Sequence, residues 1–185
     1  MGKGPNVKTK FLEKIYYICK MDKIIFLDID GVLNVYCESR DEFGCTFHSH
    51  FVDNLKWIID NTGARIVISS TWRMSGLDVM KDMWNKRGLP GEVIDVTPTV
   101  VDISVYDGTE PYDLVDRGYE IQQWINDHGV KCYCIIDDDN DMLPSQMDNF
   151  VRTSNNVGHP DCVDVGYGLT RKCSEMVVDI LNGCI

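Results

Sequence analysis

The sequence predicts an α/β fold, a parallel sheet covered by helices on both faces. Three observations predict it. Residues 23–28, 65–69 and 131–136 are short runs apolar at nearly every position, as strands buried on both faces are. Stretches with apolar residues at helical spacing alternate with these runs. Each run ends in carboxylates or hydroxyls, and in such sheets the site lies outside the carboxyl ends of the strands.

The elements follow in order. Val7, Phe11, Ile15, Ile18 and Cys19 predict a short amphipathic helix over 7–19, within an N-terminal extension (1–20) ahead of one domain (21–185). After the strand 23–28, residues 35–49 are polar and read as a loop. Ser49 is expected to cap a helix over 50–61, with Phe51, Leu55, Ile58 and Ile59 toward the core and Gly63 after its end. The strand 65–69 follows. Ser75-Gly76-Leu77-Asp78 resembles a capping box, opening a helix that ends at Gly88. Residues 92–96 form a third strand and 97–116 a loop. A helix over 118–128 closes at Gly129 and precedes the strand 131–136. Phe150 to Thr153 is a last short strand, and Thr170 caps a final helix to about Leu181.

A chain of 185 residues suits one domain with a real core, and 44% hydrophobic and 25% charged residues are ordinary for a globular protein. No apolar run approaches the ~20 residues of a membrane span. The first twenty residues lack the apolar core and cleavage site of a signal peptide, so a cytoplasmic protein without membrane or obligate protein partners is expected. The net charge of −11 argues against tight nonspecific nucleic-acid binding, yet permits one local basic pocket and suits a divalent cation. The eight cysteines contain no CxxC pair and read as reduced, small apolar fillers. A zinc site of Cys37, Cys45, His48 and His50 is a second reading, though its spacing fits no standard module.

The chemistry concentrates at three strand ends. IIFLDIDGVLN carries Asp28 and Asp30 into Gly31; RIVISS ends in Ser69 and Ser70; KCYCII runs into Asp137, Asp138, Asp139 and Asp141. Buried carboxylates are expensive unless compensated. One carboxylate near a divalent metal can attack phosphorus, and a second two residues on can protonate the leaving oxygen and then activate water. Gly31 permits a tight turn that aims backbone amides at phosphoryl oxygens, a serine adds a donor, and a cation offsets the developing charge.

DIDGVLN, RIVISS and IIDDDND, in that order, resemble the haloacid dehalogenase-like (HAD) phosphatases over roughly residues 23–182. The resemblance implies a Rossmann-like sheet, Mg2+ dependence and a phosphoaspartate intermediate. It implies Asp28 as nucleophile and Asp30 as general acid/base, with the Asp30 backbone carbonyl on the metal. Ser69 would bind the phosphoryl group, with Ser70 the alternative one residue on. Asp137 and Asp138 would complete the metal set with Asp28 and Asp30, and Asp141 is an outer candidate. Arg117, in DRGYEIQQWI, fits the family's basic residue, since a positive charge at a helix N-terminus opposes the dipole and asks for a functional reason. Arg73, in SSTWR, is a second candidate, whereas Lys86 and Arg87 suit a helix C-terminus.

Neither 35–63 nor 74–116 holds a full cap domain, so a minimal or absent cap and an open site are expected. STW, RGYEIQQWI, IIDDDND, FVRTS and GLT resemble the HAD domain of RNA-repair proteins, whose relatives in polynucleotide kinase-phosphatases trim phosphate from nucleic-acid ends. A phosphorylated polynucleotide end or nucleotide is then the implied substrate, and without a GxxxxGK[ST] loop the chain carries no kinase half. A phosphatase of another metabolite and a phospho-ligand binding module are the competing readings. Trp72 is equally a base-stacking platform or a packing residue. Tyr106, Tyr112 and Tyr119 are candidates for the open mouth. Trp57, Trp84 and Trp124 read as packing, and His48 and His50 as loop residues.

Overall fold

The computed structural model describes residues 23–100, 116–154 and 167–184. The helix expected over 7–19, and Tyr106 and Tyr112, lie outside these residues.

β1 (Lys23–Leu27), β4 (Arg65–Ile68), β5 (Val93–Val96), β6 (Cys132–Asp137) and β7 (Phe150–Arg152) form one sheet in the order β5-β4-β1-β6-β7. Every pairing in it is parallel. Parallel neighbours need crossovers, and helices supply them. α1 (Ser49–Thr62) and α2 (Leu77–Lys86) follow β1 and β4, α3 (Arg117–His128) precedes β6, and α4 (Arg171–Gly183) ends the described chain.

The strand period of two divides the core. Ile25, Leu27, Ile66, Ile68, Cys132, Cys134 and Ile136 face one way, into a cluster with Phe51, Leu55, Ile58, Met80, Met83, Val177 and Leu181 from α1, α2 and α4. Ile24, Phe26, Val67 and Ile135 face the other way, onto Ile121, Trp124 and Ile125 of α3. The sheet is thus covered on both faces.

Several local expectations are corrected. α1 begins one residue early, with His48 at its N-cap and no side-chain cap, so Ser49 does not cap it. α2 opens on Gly76, again with no side-chain cap, because a 3-10 turn (Thr71–Ser75) occupies the preceding residues. Thr170 does cap α4, accepting from the Cys173 amide, and Gly63 and Gly129 close α1 and α3 in left-handed conformation.

The cysteines differ more. Cys37 is bonded to Cys45 and Cys132 to Cys184, and only Cys134 and Cys173 are free and buried among the described residues. The Cys37–Cys45 bond removes the zinc reading, and His48 is held by the Tyr36 carbonyl at 2.9 Å. That disulfide closes the loop after β1 around a hairpin of two two-residue strands, β2 (Arg40–Asp41) and β3 (Gly44–Cys45). This hairpin is all that the insertion between β1 and α1 adds over the sheet. No helix among the described residues is long and apolar enough to cross a membrane.

α3 approaches the chain after β6 closely enough to require glycine. A Cβ on Gly118 would stand 2.6 Å from the Leu143 backbone nitrogen, and Gln146 locks the approach by donating to the Gly118 carbonyl at 2.8 Å. Gly118→Ala is therefore expected to cost about 1–3 kcal/mol by chemical denaturation, as overpacking does. Unchanged stability would show that this contact is loose.

Candidate active site

Strand register builds the site. Leu27 pairs with Ile68 on one side and Ile136 on the other, so Asp28, Ser69 and Asp137 form the next row at the carboxyl edge. The ladder runs into that row: the Asp28 amide donates to the Ile136 carbonyl and the Ser69 amide to that of Leu27, both at 3.0 Å. Asp28 continues the face of Ile24 and Phe26, the side that carries α3. Arg117, the first residue of α3, meets it there.

Asp28 and Asp137 are buried and Asp138 is half-buried; one carboxylate oxygen of each lies within 4.8 Å of the others. The Arg117 Nη1 stands 2.6 Å from Asp28 Oδ1 and 3.1 Å from Asp137 Oδ2. Three carboxylates against one guanidinium leave a formal charge of −2. Burial raises the Asp28 carboxyl above its ordinary range, outweighing the opposing pull of Arg117. Burial, then repulsion from Asp28, raises Asp137 well above its range. Burial and the neighbouring charges of Asp28 and Asp139 push Asp138 up to about 6. For Arg117, burial works against the charged form, and the charges of Asp137 and Asp28 overcome it and hold the guanidinium protonated.

This donor set fits a hard divalent cation. It is all oxygen, it carries two uncompensated charges, and Asp137 Oδ2 makes no hydrogen bond although it is buried. The turn after β1 is shaped around it. Gly31 has φ +77°, and a Cβ there would lie 2.2 Å from Asp138 Cγ, inside the carboxylate. Only glycine lets this backbone pass so close to the acidic cluster.

The other expected residues separate. Asp30 is exposed and stands outside the cluster: Oδ1 accepts from Asn34 Nδ2 at 3.0 Å and Oδ2 from Trp72 Nε1 at 2.8 Å. Its carboxylate is therefore not among the three clustered carboxylates that could hold a metal. The hydroxyl that reaches the Asp28 carboxylate is that of Ser70, not Ser69, whose Oγ is buried with no hydrogen-bond partner. The strand ends at Ile68, two residues before that hydroxyl, and Ser70 opens the 3-10 turn with its oxygen facing the Trp72 amide at 3.5 Å.

Arg73 is a correction. It is buried, its Nη1 donates to the Ser69 and Ser70 carbonyls at 2.8 and 3.0 Å, and its Nη2 pairs with Glu120 of α3. It fixes the serine turn and is not offered to a substrate. Glu120 was invisible to sequence reasoning, although its i+3 spacing from Arg117 on one helix was a usable signal. Asp141 is likewise spent on structure: its Oδ2 accepts the Arg117 amide at 3.0 Å, capping α3 from outside and steadying Arg117. Tyr119 is exposed. Trp84 and Trp124 are buried, and Trp57 lies under the Arg171 guanidinium.

The profile of the HAD domain in Swiss Army Knife RNA repair proteins matches residues 24–159, a span that contains every one of these site residues. No curated protein matches the chain. Similar solved structures include a protein described as a HAD superfamily (subfamily III A) hydrolase from Legionella pneumophila, at 16% identity, covering 97% of this chain and 94% of that one, TM-score 0.44. A hypothetical protein from Xanthomonas campestris has 15% identity, coverage of 89% and 85%, and TM-score 0.47. A HAD family hydrolase from Streptomyces avermitilis has 16% identity, coverage of 88% and 91%, and TM-score 0.45.

The raised Asp138 carboxyl makes a stability prediction. The folded chain holds this proton more tightly than the unfolded chain, whose carboxyl titrates near 3.8. The cost of ionising it in the fold is absent below about pH 4 and complete above about pH 6, so stability falls as pH rises through that window. In chelator, Asp138→Asn is expected to melt higher than wild type at about pH 8 and no higher at about pH 4. A melting difference that does not vary with pH would contradict this.

Proposed function

The chain belongs to the HAD domains of Swiss Army Knife RNA repair proteins, and with that membership as premise we propose a Mg2+-dependent phosphomonoesterase acting on phosphorylated nucleic-acid termini or nucleotides. One observation carries the reading: Asp28 sits in a carboxylate cluster of formal charge −2, faced by Arg117 and Ser70, at the carboxyl edge of the sheet.

Asp28, Asp137 and Asp138 would hold Mg2+, which would offset phosphoryl charge and keep Asp28 ionised. Asp28 attacks phosphorus, forming an Asp28–phosphate bond as the bond to the leaving oxygen breaks. Asp30 gives that oxygen its proton. Asp30 then takes a proton from water, whose oxygen displaces Asp28 and releases phosphate. Arg117 and Ser70 contact the phosphoryl oxygens, donors fixed before the charge develops.

Two features support an end of a nucleic acid as substrate. The matched family belongs to RNA repair proteins, and the insertion after β1 is one small hairpin that leaves Asp30 exposed. The net charge of −11 disfavours tracking along a phosphate backbone, which leaves the terminal phosphate as the recognised group.

The test measures phosphate release with Mg2+ from 3′- and 5′-phosphorylated oligonucleotides, mononucleotides and sugar phosphates. Release is expected to be fastest from oligonucleotide ends, to stop in chelator, and to fall about a thousandfold or more in Asp28→Asn. Sugar phosphates as the best substrates would replace the substrate class. Release that survives in Asp28→Asn would overturn the mechanism. Tight binding without release would make this a phospho-ligand binding module.

A further inference from the structure

We propose that Trp72 is the positioning residue of Asp30, an inference that rests on the acid/base role given to Asp30 above. An exposed aspartate ordinarily samples several rotamers. Here each carboxylate oxygen has its own donor, Asn34 Nδ2 on Oδ1 and Trp72 Nε1 on Oδ2. The two donors differ in kind. Asn34 lies four residues away on the same turn, which an Asp30–Asn34 bridge closes. Trp72 arrives from another strand end, 42 residues on, and so ties the acid to the serine turn.

The indole is itself held. Its ring packs on Phe47 with centroids 5.6 Å apart, and the Arg87 guanidinium stands 5.6 Å from it. Arg87 is clamped by Asp41, Nε to Oδ2 at 2.9 Å and Nη2 to Oδ1 at 2.7 Å. Gly44 lies against the ring, where a Cβ would stand 3.5 Å from Cη2. Asp41 and Gly44 both belong to the hairpin that the Cys37–Cys45 bond closes. Thus the hairpin braces the indole, and the indole braces Asp30.

The same turn serves both reacting carboxylates. The Ser70 hydroxyl reaches Asp28, and the Trp72 side chain two residues on reaches Asp30. Both carboxylates are thus contacted by one short segment, Ser70 to Trp72, which Arg73 ties down through the Ser69 and Ser70 carbonyls. The indole is a donor only. It holds Oδ2 as the Asn34 amide holds Oδ1, so the carboxyl group keeps one orientation while it gives a proton to the leaving group and takes one from water. Trp72 acts through Asp30 and touches no reacting atom.

Trp72→Phe keeps a ring for the packing and removes only the N–H. It is compared with wild type and Asp30→Asn on two substrates, an aryl phosphate with an acidic leaving group and an alkyl phosphate. The alkyl ester depends on proton donation, whereas the aryl ester needs little. In Trp72→Phe the alkyl-to-aryl rate ratio is expected to fall about tenfold or more, part of the roughly hundredfold or more that general acid catalysis contributes. In an Asp30→Asn background the same substitution is expected to add nothing, because it acts through that carboxylate. Arg87→Met, which loosens the indole without touching Asp30, is expected to shift the ratio in the same direction by less, and melting curves verify that each variant is folded. Equal losses on both esters, or a full additional loss in Asp30→Asn, would overturn the inference and make Trp72 a packing residue. A raised KM confined to oligonucleotides would overturn it in favour of a base platform. Each of these leaves the acid/base reading intact. Wild type without metal-dependent release, or Asp30→Asn at the wild-type rate, would overturn that reading and this inference together.

Discussion

Everything at the carboxyl edge of this sheet answers to one constraint: three carboxylates, two of them buried, share a space of a few ångströms. Left alone they would protonate or force the edge apart, since isolated buried charge is costly. Arg117 cancels one charge and bridges Asp28 to Asp137. The remaining two are what a divalent cation would neutralise. Burial raises the carboxyls of Asp28, Asp137 and Asp138, repulsion adds to it at Asp137 and Asp138, and a bound cation would offset both.

The surrounding structure maintains the constraint. β1 and β6 are hydrogen-bonded neighbours, which alone brings Asp28 beside Asp137. Gly31 lets the turn after β1 pass the Asp138 carboxylate, and the Thr153 hydroxyl holds the Gly31 carbonyl at 2.9 Å. Gly118 and Asp141 seat the start of α3 so that Arg117 points inward. The Arg73–Glu120 pair joins α3 to the serine turn. Breaking such a pair by removing one partner strands the other charge in the core, so its effect would reach the site without contact with a substrate.

Much of this was legible in the sequence, for physical reasons. Strands buried on both faces are apolar at nearly every position, and their ends are marked by abrupt polarity, so Asp28 and Asp137 could be placed on one edge before any coordinates, whereas Arg117 followed only from the family resemblance, with Arg73 as its alternative. What failed was local. Ser69 and Ser70 differ by one residue, and choosing between them requires knowing where the strand yields to the 3-10 turn. Arg73 looked available because it follows the serines, but its partner Glu120 is 47 residues away. The disulfides were missed because Cys37, Cys45, Cys132 and Cys184 carry no spacing motif. Cys132 meets Cys184 only when α4 packs on β6. Trp72 looked ambiguous in the sequence for the same reason: its partner, Asp30, comes from another strand.

The central claim is that Asp28, compensated by its neighbours, is the atom that takes the phosphoryl group. Acid quench of the enzyme during turnover with Mg2+, followed by proteolysis and mass spectrometry, tests it most directly. The account predicts a phosphate on the Asp28 side chain, in the peptide containing IIFLDIDGVLN, that is lost on treatment with hydroxylamine. Phosphate release that proceeds with the phosphoryl group trapped on another residue would contradict it.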